Sequence, residues 1–405
     1  MPVLLKQPDC LLPIAGIRLA ACSAGIYKYS RDDIVLIEMT EGSTCAAVFT
    51  KNAFSAAPVK IARAHLQTSD SRYCLINAGN ANAGTGERGY HDAMAICQTL
   101  ANQTGCETEQ VLPFSTGVIG EYLPVASITG SFDKLISLLD EKNWLASARA
   151  IMTTDVVAKG VSKTVMLEGK AVQITGIAKG SGMIRPDMAT MLAFIACDAD
   201  IEEGLLNDIL KNALAISFNR ICVDGDTSTN DACLLIATGK SEVSIRRDNS
   251  PLLKVFQEAI DSVFVELSHA IVRDGEGATK FITVKIMGGR SETQCLDIAY
   301  DIATSPLVKT AMYASDPNWG RIIAAIGRSR EGQIDPAMTS VFLNELCIFK
   351  KGKKAEDYTE EAGQVEMAKA EIMVIVDLGL GQYSETIWTC DLSHDYIKIN
   401  SNYRS

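Results

Sequence analysis

The 405-residue sequence has few of the residues that build metal centres, and it has neither a long apolar run nor a strongly charged tail. It contains only four histidines, none at zinc-ligand spacing from another His or Cys, and no C-x-x-C pair, which argues against structural zinc. No apolar stretch approaches the roughly 20 residues of a membrane span. The net charge of -11 argues against nucleic-acid binding, which needs a basic surface.

Twelve cysteines are scattered along the chain, mostly in apolar runs, and we expect most of them to be buried and reduced. Their even count would also permit disulfides, but the chain does not resemble a small, disulfide-stapled secreted domain. The apolar residues 10–17 follow Asp9 and precede Arg18, so we interpret them as a first strand and turn rather than a signal peptide. These features together favour a cytoplasmic protein.

Apolar residues make up 47% of the chain and aromatic residues 6%, which suits sheets and helices packed through small side chains. The length predicts two to three domains or one large two-lobed unit. Hydrophobic patterns predict strands at residues 46–49, 73–76, 191–197, 281–286, 372–377 and 386–392, and helices near 129–140, 202–217 and 251–272. The fold class is therefore mixed α/β or α+β, with substantial sheet.

Glycine-rich turns occur along the whole chain rather than in one region. They lie at residues 77–89, 176–182, 224–231, 274–277 and 318–327. Because binding and catalytic residues are often carried on loops, this spread indicates loops that converge on one site rather than separate modules.

One segment, residues 179–192 (KGSGMIRPDMATML), combines features that can activate a hydroxyl nucleophile. Gly180 and Gly182 permit positive φ, and Pro186 stiffens the chain shortly before Thr190. A threonine hydroxyl held against its preceding carbonyl can exchange that peptide bond for an ester, which water then cuts. The α-amino group released on Thr190 would have a pKa of about 7.7–8.0, so it can act as general base for the neighbouring hydroxyl.

The same residues also fit an ordinary turn. Glycines before a strand usually form a turn, and threonine is a common strand residue. The segment does not fit the phosphate-binding pattern G-x-x-x-x-G-K-[ST], because its lysine precedes the glycines. The residues alone therefore leave two interpretations open, a self-cleaving N-terminal nucleophile and a structural turn.

Residues 179–192 resemble the autoprocessing signature of the ornithine acetyltransferase family, the bifunctional glutamate N-acetyltransferases. The resemblance continues in residues 46–52 (AAVFTKN), 77–86 (NAGNANAGTG), 115–120 (STGVIG), 223–231 (VDGDTSTND), 273–280 (RDGEGATK), 318–321 (NWGR) and 391–396 (DLSHDY). One glycine-rich segment could match by chance, whereas the order and spacing of all of them together could not. The chain is thus identified as a member of this family.

This resemblance implies that Thr190 is both the autocleavage residue and the nucleophile that accepts the acetyl group. Cleavage of the Ala189–Thr190 bond would give an α chain of residues 1–189 and a β chain of residues 190–405. The implied reaction is a ping-pong transfer of acetyl from N-acetylornithine to glutamate. The implied fold is a two-lobed α/β sandwich with sheets packed between helices, in an α2β2 assembly.

The resemblance also implies the remaining site residues. Thr116 and Gly117 match the oxyanion-hole pair, whose hydroxyl and backbone N–H would stabilise the tetrahedral oxyanion of acyl transfer. The implied substrate contacts are Thr153 (with Thr154 beside it), Lys179, Thr190, Glu276, Asn400 and Ser405. Ser405 stands where relatives commonly end in threonine, and it keeps the hydroxyl. No metal or cofactor is implied, although many relatives also accept acetyl-CoA as donor.

Two other classes compete with this interpretation. A self-processing N-terminal-nucleophile amidohydrolase or peptidase would share the cleavage but would lose the acyl group to water. A non-catalytic binding protein would use the glycine-rich loops to hold an amino acid, would remain a single chain, and would still bind after Thr190→Ala.

Overall fold

The computed structural model describes residues 2–185, 191–329 and 334–402. Within them the strands are β1 (Ile17–Cys22), β2 (Ile34–Met39), β3 (Thr44–Phe49), β4 (Tyr73–Asn80), β5 (Val111–Val118), β6 (Lys159–Leu167), β7 (Lys170–Lys179), β8 (Leu192–Cys197), β9 (Asp200–Ile201), β10 (Ile221–Cys222), β11 (Ala232–Ala237), β12 (Ser244–Ile245), β13 (Phe281–Gly289), β14 (Ser340–Leu343), β15 (Leu346–Lys350), β16 (Lys353–Lys354), β17 (Glu371–Asp377) and β18 (Tyr383–Cys390). The helices are α1 (Ala57–Thr68), α2 (Gly86–Thr104), α3 (Val125–Thr129), α4 (Phe132–Ser137), α5 (Trp144–Ala150), α6 (Glu203–Ile216), α7 (Ser250–Arg273), α8 (Glu292–Ala303), α9 (Pro306–Tyr313), α10 (Trp319–Gly327), α11 (Glu360–Met367) and α12 (His394–Asn402).

Two sheets pack face to face to form a sandwich. One has the strand order β1-β2-β4-β5, and the other has the order β3-β11-β8-β7-β6. Ile37, Ile76 and Phe114 of the first sheet share an apolar core with Phe194 and Leu234 of the second. The rings of Phe114 and Phe194 meet edge to face across this core, with centroids 5.0 Å apart. The core between the sheets therefore fixes their relative position.

Helices cover the outer faces of both sheets. α2 and α4 pack on the first sheet, and α6 and α7 pack on the second. Every residue of β8 is consequently buried, as expected for a strand with both faces covered. The five-stranded sheet takes strands from both sides of the predicted 189/190 boundary, since β8 pairs with β7 and with β11.

A third, seven-stranded sheet has the order β10-β18-β13-β17-β14-β15-β16, and β9 pairs with β12 in a small two-stranded sheet. The seven-stranded sheet shares a separate apolar core with α8, α9, α10 and α11. Sheets packed among helices confirm the predicted α/β class. α6 and α7 confirm the two longer predicted helices, and each of their ends lies within one residue of the predicted position.

The predicted helix near 129–140 is only partly confirmed, because one short helix, α4, lies within these bounds and a separate helix, α3, ends where they begin. α3 ends at Thr129, and α4 spans Phe132–Ser137. Gly130 is the C-cap of α3, in keeping with the low helix propensity of glycine. After α4 the chain forms a β-bridge between Asp140 and Leu19. The N–H of Leu19 donates to the carbonyl of Asp140 at 2.9 Å, and the N–H of Asp140 donates to the carbonyl of Leu19 at 3.0 Å.

The predicted strand at residues 386–392 extends two residues too far. β18 ends at Cys390, and the carboxylate of Asp391 accepts hydrogen bonds from the backbone N–H groups of Thr279 and Lys280 at 2.8 and 2.9 Å. This aspartate joins the strand end to the loop before β13 instead of continuing the ladder.

The predicted burial of most cysteines is confirmed. All twelve cysteines lie in the described ranges, none is in a disulfide, and nine are buried. In the described ranges no helix is long and apolar enough to cross a membrane, and no group of His, Cys, Asp and Glu side chains is arranged to hold a metal ion.

His269 on α7 gives a pH-dependent prediction about stability. Its ring packs edge-on against Trp388 and Phe281, with centroids 4.3 and 5.2 Å away. Burial, together with Arg273, lowers the pKa of His269 to about 4, whereas an unperturbed imidazole has a pKa of about 6.5. Between these pH values the unfolded chain binds a proton that the folded chain does not. The free energy of unfolding therefore falls as the pH is lowered from about 6.5 to about 4.

We expect this loss to reach about 3 kcal/mol near pH 4. His269→Phe should remove it, because phenylalanine keeps the ring packing and takes up no proton. Urea unfolding of both proteins, each carrying Thr190→Ala so that the chain stays single, at several pH values across this window would measure the difference. Parallel loss of stability in the two proteins would show that His269 does not carry the effect.

Candidate active site

A cavity of about 110 Å³ lies where the ends of several strands meet α12. The ends of β5 and β7, the residue before β8, the residues before β11 and a residue of α12 form its wall. Its charged and polar lining residues include Thr116, Thr153, Lys179, Asp231, Glu276 and Asn400. A small cavity that carries both a cation and carboxyl groups suits a small zwitterionic ligand.

The cavity brings together six of the predicted site residues. They are Thr116, Gly117, Thr153, Lys179, Glu276 and Asn400. The predicted residues Ala189, Thr190 and Ser405 lie outside the described residues. Met191, which follows Thr190 in the sequence, lines the same cavity.

Four of the five glycine-rich segments contribute to this cavity, as predicted, and the fifth does not. Residues 318–327 form α10, which packs in the core of the seven-stranded sheet. The prediction of a loop there is wrong, because Ile322, Ala325 and Ile326 recur at helical spacing and are buried. The glycines at both ends of that run suggested a turn, although the residues between them carry a helical pattern.

The end of β5 places Thr116 and Gly117 on the cavity wall. The register between β4 and β5 shifts beside this point, at Gly79 and Asn80. Gly117 has a φ of 135°, and a Cβ there would lie 2.2 Å from the carbonyl carbon of Gly79. Only glycine therefore fits at position 117, next to the Thr116 hydroxyl.

Lys179, at the end of β7, is the cation of the cavity wall. Its Nζ donates to Thr153 Oγ1 at 2.8 Å and to Thr116 Oγ1 at 3.3 Å, and it lies 3.9 Å from Asp155 Oδ2. Burial lowers the pKa of Lys179, and the charge of Asp155 partly opposes this. The neighbouring Thr154 instead bonds to Ser181, at 2.7 Å between hydroxyl oxygens.

A buried ion-pair network, which the sequence did not reveal, lies next to Lys179. Lys159 Nζ is 2.6 Å from Asp155 Oδ1 and 2.6 Å from Asp274 Oδ2, and its side chain is wholly buried. Burial opposes ionisation of Asp155, but Lys159 and Lys179 more than offset it, so the pKa of Asp155 is lowered. Burial raises the pKa of Asp274, although Lys159 acts in the opposite direction.

Asp155 also holds the backbone of the site. Its carboxylate accepts hydrogen bonds from the N–H of Gly180 at 2.7 Å and from the N–H of Thr153 at 3.1 Å. Thr153 and Lys179 are thus positioned by the same buried carboxylate. Asp155 lies two residues after a predicted substrate contact, but spacing gives no sign that it is charged and buried.

Glu276 lines the opposite part of the cavity and connects it to α12. Its Oε2 accepts a hydrogen bond of 2.7 Å from Asn400 Nδ2, and its N–H donates to the carbonyl of Ser181 at 2.8 Å. A Cβ at Gly182 would lie 2.5 Å from the Glu276 carboxyl carbon, so the glycine permits this close approach. The C-terminal helix therefore reaches into the site, as the sequence interpretation required of Asn400.

Asp231 is a cavity residue that the sequence interpretation missed, although it ends a quoted motif. Its side chain is buried, and its Oδ2 has no hydrogen-bond partner in the described part of the chain. Burial raises the pKa of Asp231 well above its usual value, and Ser228 and Lys179 offset this only in part. This carboxyl is therefore available to a polar group of a bound ligand.

Comparison with known proteins gives matches along the chain. A family profile described as the ArgJ family matches residues 18–405. The arginine biosynthesis bifunctional protein ArgJ of Pseudomonas syringae pv. tomato is 49% identical over 406 residues, covering 100% of both chains. The protein of the same name from Methylococcus capsulatus is 52% identical over 395 residues, covering 98% of this chain and 97% of its own. The solved argJ structure from Bacillus halodurans is 35% identical, covering 51% of this chain and 96% of its own, with a TM-score of 0.48.

Proposed function

Because the chain belongs to the ArgJ family of bifunctional arginine-biosynthesis proteins, we infer that it transfers an acetyl group from N-acetylornithine to glutamate. The family resemblance predicted from the sequence motifs is confirmed, and the protein is an acetyltransferase of arginine biosynthesis. The observation that best supports the detailed proposal is the cavity itself. The cavity is lined by six predicted residues, which come from several segments of the chain, and by the residue that follows Thr190.

The charges of the cavity match N-acetylornithine at both ends and glutamate at its α-carboxylate. Both N-acetylornithine and glutamate have an α-carboxylate, for which the buried cation Lys179 is the partner. Glu276 receives the cationic end of ornithine, and Asn400 holds its carboxylate in place through the 2.7 Å hydrogen bond. Thr153, whose hydroxyl accepts a hydrogen bond from the Lys179 ammonium, is a further substrate contact. Ser405 is the last of the proposed contacts.

Self-cleavage prepares the nucleophile. Thr190 Oγ attacks the Ala189 carbonyl carbon, the C–N bond breaks, and the released nitrogen takes a proton. Water then hydrolyses the resulting ester, which restores the hydroxyl and leaves Ala189 as a carboxylate. The products are an α chain of residues 1–189 and a β chain of residues 190–405, and two copies of each form an α2β2 assembly.

Acetyl transfer then uses the same hydroxyl. The α-amino group of Thr190 accepts the proton from Oγ as Oγ attacks the acetyl carbonyl. The Thr116 hydroxyl and the Gly117 N–H stabilise the oxyanion. Thr116 Oγ1 accepts its hydrogen bond from Lys179, so its own proton remains free to donate.

The rest of the reaction takes two steps, the loss of ornithine and the attack of glutamate. The C–N bond to ornithine breaks, the amine leaves with the proton, and an acetyl-threonine ester remains. The amine of glutamate attacks this ester and regenerates the Thr190 hydroxyl. Since an amide is converted into an amide, the exchange needs no ATP and no bound cofactor. Acetyl-CoA, which many relatives also accept, would enter the same scheme as a second donor by acylating the Thr190 hydroxyl with loss of its thiol.

The test combines mass and product analysis of the purified protein. The denatured protein should give two masses that divide the sequence between Ala189 and Thr190. Incubation with N-acetylornithine and glutamate should release ornithine and N-acetylglutamate in equal amounts. Acetate released without glutamate, and undiminished when glutamate is added, would instead identify an amidohydrolase. An uncut chain that binds the substrates but gives no product would identify a binding protein.

Thr116→Ala should slow acetyl transfer while it changes substrate affinity much less. Loss of one oxyanion donor typically lowers the rate by about 100- to 1000-fold, because that donor acts on charge that develops in the transition state. Steady-state assays should therefore show a large fall in kcat with a small change in KM. Thr99→Ala, which removes a half-buried hydroxyl on α2 that does not line the cavity, is the matched control and should behave like the wild type. A raised KM with unchanged kcat in Thr116→Ala would contradict the oxyanion role.

A further inference from the structure

Asp224 holds the backbone of the loop that leads to the proposed cleavage site. Its Oδ2 accepts a hydrogen bond of 2.6 Å from the N–H of Met183, and its Oδ1 accepts one of 2.9 Å from the N–H of Ile184. Met183 has a φ of 56°, a conformation that non-glycine residues rarely adopt. Each oxygen of the Asp224 carboxylate thus accepts a hydrogen bond from one of two consecutive N–H groups, and the two bonds together stabilise the unusual backbone conformation at Met183.

Neighbouring contacts fix the two ends of the segment that carries the scissile bond. On one side, the Thr227 hydroxyl donates to the carbonyl of Arg185 at 3.0 Å. On the other, the N–H of Ala232 donates to the carbonyl of Met191 at 2.9 Å. Self-cleavage requires a hydroxyl to meet its preceding carbonyl in one geometry, so the anchors on either side control how often that geometry is reached.

Asp224 also contacts the C-terminal helix. The hydroxyl of Tyr396 on α12 lies 3.3 Å from Asp224 Oδ2 and donates to it. Ser393, just before α12, donates to the Gly277 carbonyl at 2.6 Å. The same carboxylate oxygen thus bonds both the loop before the cleavage site and the helix at the end of the chain.

We propose that Asp224 is a positioning residue for self-cleavage, and that docking of α12 through Tyr396 completes its arrangement. This inference rests on the proposed cleavage at Ala189–Thr190. It has a consequence for the order of events, since α12 is synthesised long after the segment that carries the cleavage site. The chain cuts itself at its full rate only after this helix has docked, so a chain in which α12 has not docked is cut more slowly.

Asp224→Asn tests the proposal with almost no change in shape. An amide has a single acceptor oxygen, so whichever way it is oriented, the N–H of either Met183 or Ile184 loses its acceptor. We expect cleavage to slow at least about tenfold, because hydrogen bonds to a charged group are among the stronger ones. Tyr396→Phe should slow cleavage by a smaller factor, about three- to tenfold, since only one of the partners of the carboxylate is lost.

The rate of cleavage is followed by denaturing mass spectrometry of samples taken after synthesis is stopped. Asp226→Asn, an exposed aspartate in the same loop, and Ile397→Ala, an exposed neighbour of Tyr396, are the controls and should be cut at the wild-type rate. Unfolding temperatures are compared in the uncut Thr190→Ala background, with and without Asp224→Asn. If Asp224→Asn slows cleavage while the two unfolding temperatures differ by no more than a few degrees, Asp224 positions the cleavage segment rather than stabilising the fold in general.

The outcomes separate this proposal from the one on which it rests. If the wild type is not cut, the self-cleavage mechanism itself fails. If the wild type is cut and Asp224→Asn is cut equally fast, the positioning role of Asp224 is wrong. If Asp224→Asn is slow but Tyr396→Phe is as fast as the wild type, the part assigned to α12 is wrong.

Discussion

Thr190→Ala is expected to leave the protein as one uncut chain and to abolish acetyl transfer. A single hydroxyl serves both reactions in the proposed mechanism, so its removal affects both at once. We expect the transfer rate to fall by at least about 10,000-fold, as in enzymes that lose their nucleophile. Intact-mass analysis and the N-acetylglutamate assay measure the two effects on the same sample.

Thr190→Ser is the matched control for this prediction. Serine keeps the hydroxyl and the α-amino group after cleavage, so both reactions should survive at reduced rates. An uncut Thr190→Ala protein that still transfers acetyl at the wild-type rate would show that another residue is the nucleophile. A Thr190→Ala protein that is still cut between residues 189 and 190 would show that processing comes from another source.

Lys159→Met is expected to cause the largest loss of stability. The side chain of Lys159 is wholly buried between Asp155 and Asp274, with two contacts of 2.6 Å. Methionine would leave the buried Asp274 carboxylate without its cation and Asp155 with only the more distant Lys179, 3.9 Å away. Breaking a buried pair in this way costs about 3–5 kcal/mol. Urea unfolding in the Thr190→Ala background, where the chain stays single, would measure this loss.

Lys170→Met provides the matched control. Lys170 pairs with Glu242 at 3.2 Å, but both side chains are largely exposed. Exposed pairs contribute little, so this variant should remain within about 0.5 kcal/mol of its parent. Equal losses of stability in the two variants would contradict the importance of burial at Lys159.

Much of the secondary structure could be predicted from the sequence, because its hydrophobic pattern is regular. The long apolar face of α7 and the alternation in β13 both gave correct elements. The helix near 129–140 was less predictable, since its outcome depends on Gly130 and on a bridge to Leu19, which is more than 100 residues away in the sequence. Local pattern cannot report such a distant partner.

The residues of the site likewise include some that could be predicted from the sequence and some that could not. Thr116, Lys179 and Asn400 were found through a family resemblance, and the fold brings all three to one cavity. The network around Lys159 and the unpaired oxygen of Asp231 were not found. Their significance lies in burial and in partners from distant segments, and a charged residue looks the same in a sequence whether it is buried or solvated.

The position of β8 decides what a break in the backbone just before it would do to the durability of the protein. This strand begins only two residues after Thr190, and together with β11 of the same piece it lies between β7 and β3 of the other piece, with six register pairs at each of these two junctions. Separation of the two pieces would require removing two adjacent interior strands and opening two apolar layers at once. Once apart, the pieces could rejoin only by diffusion. The working enzyme would therefore persist because its unfolding is slow, and not because it can refold after it has come apart.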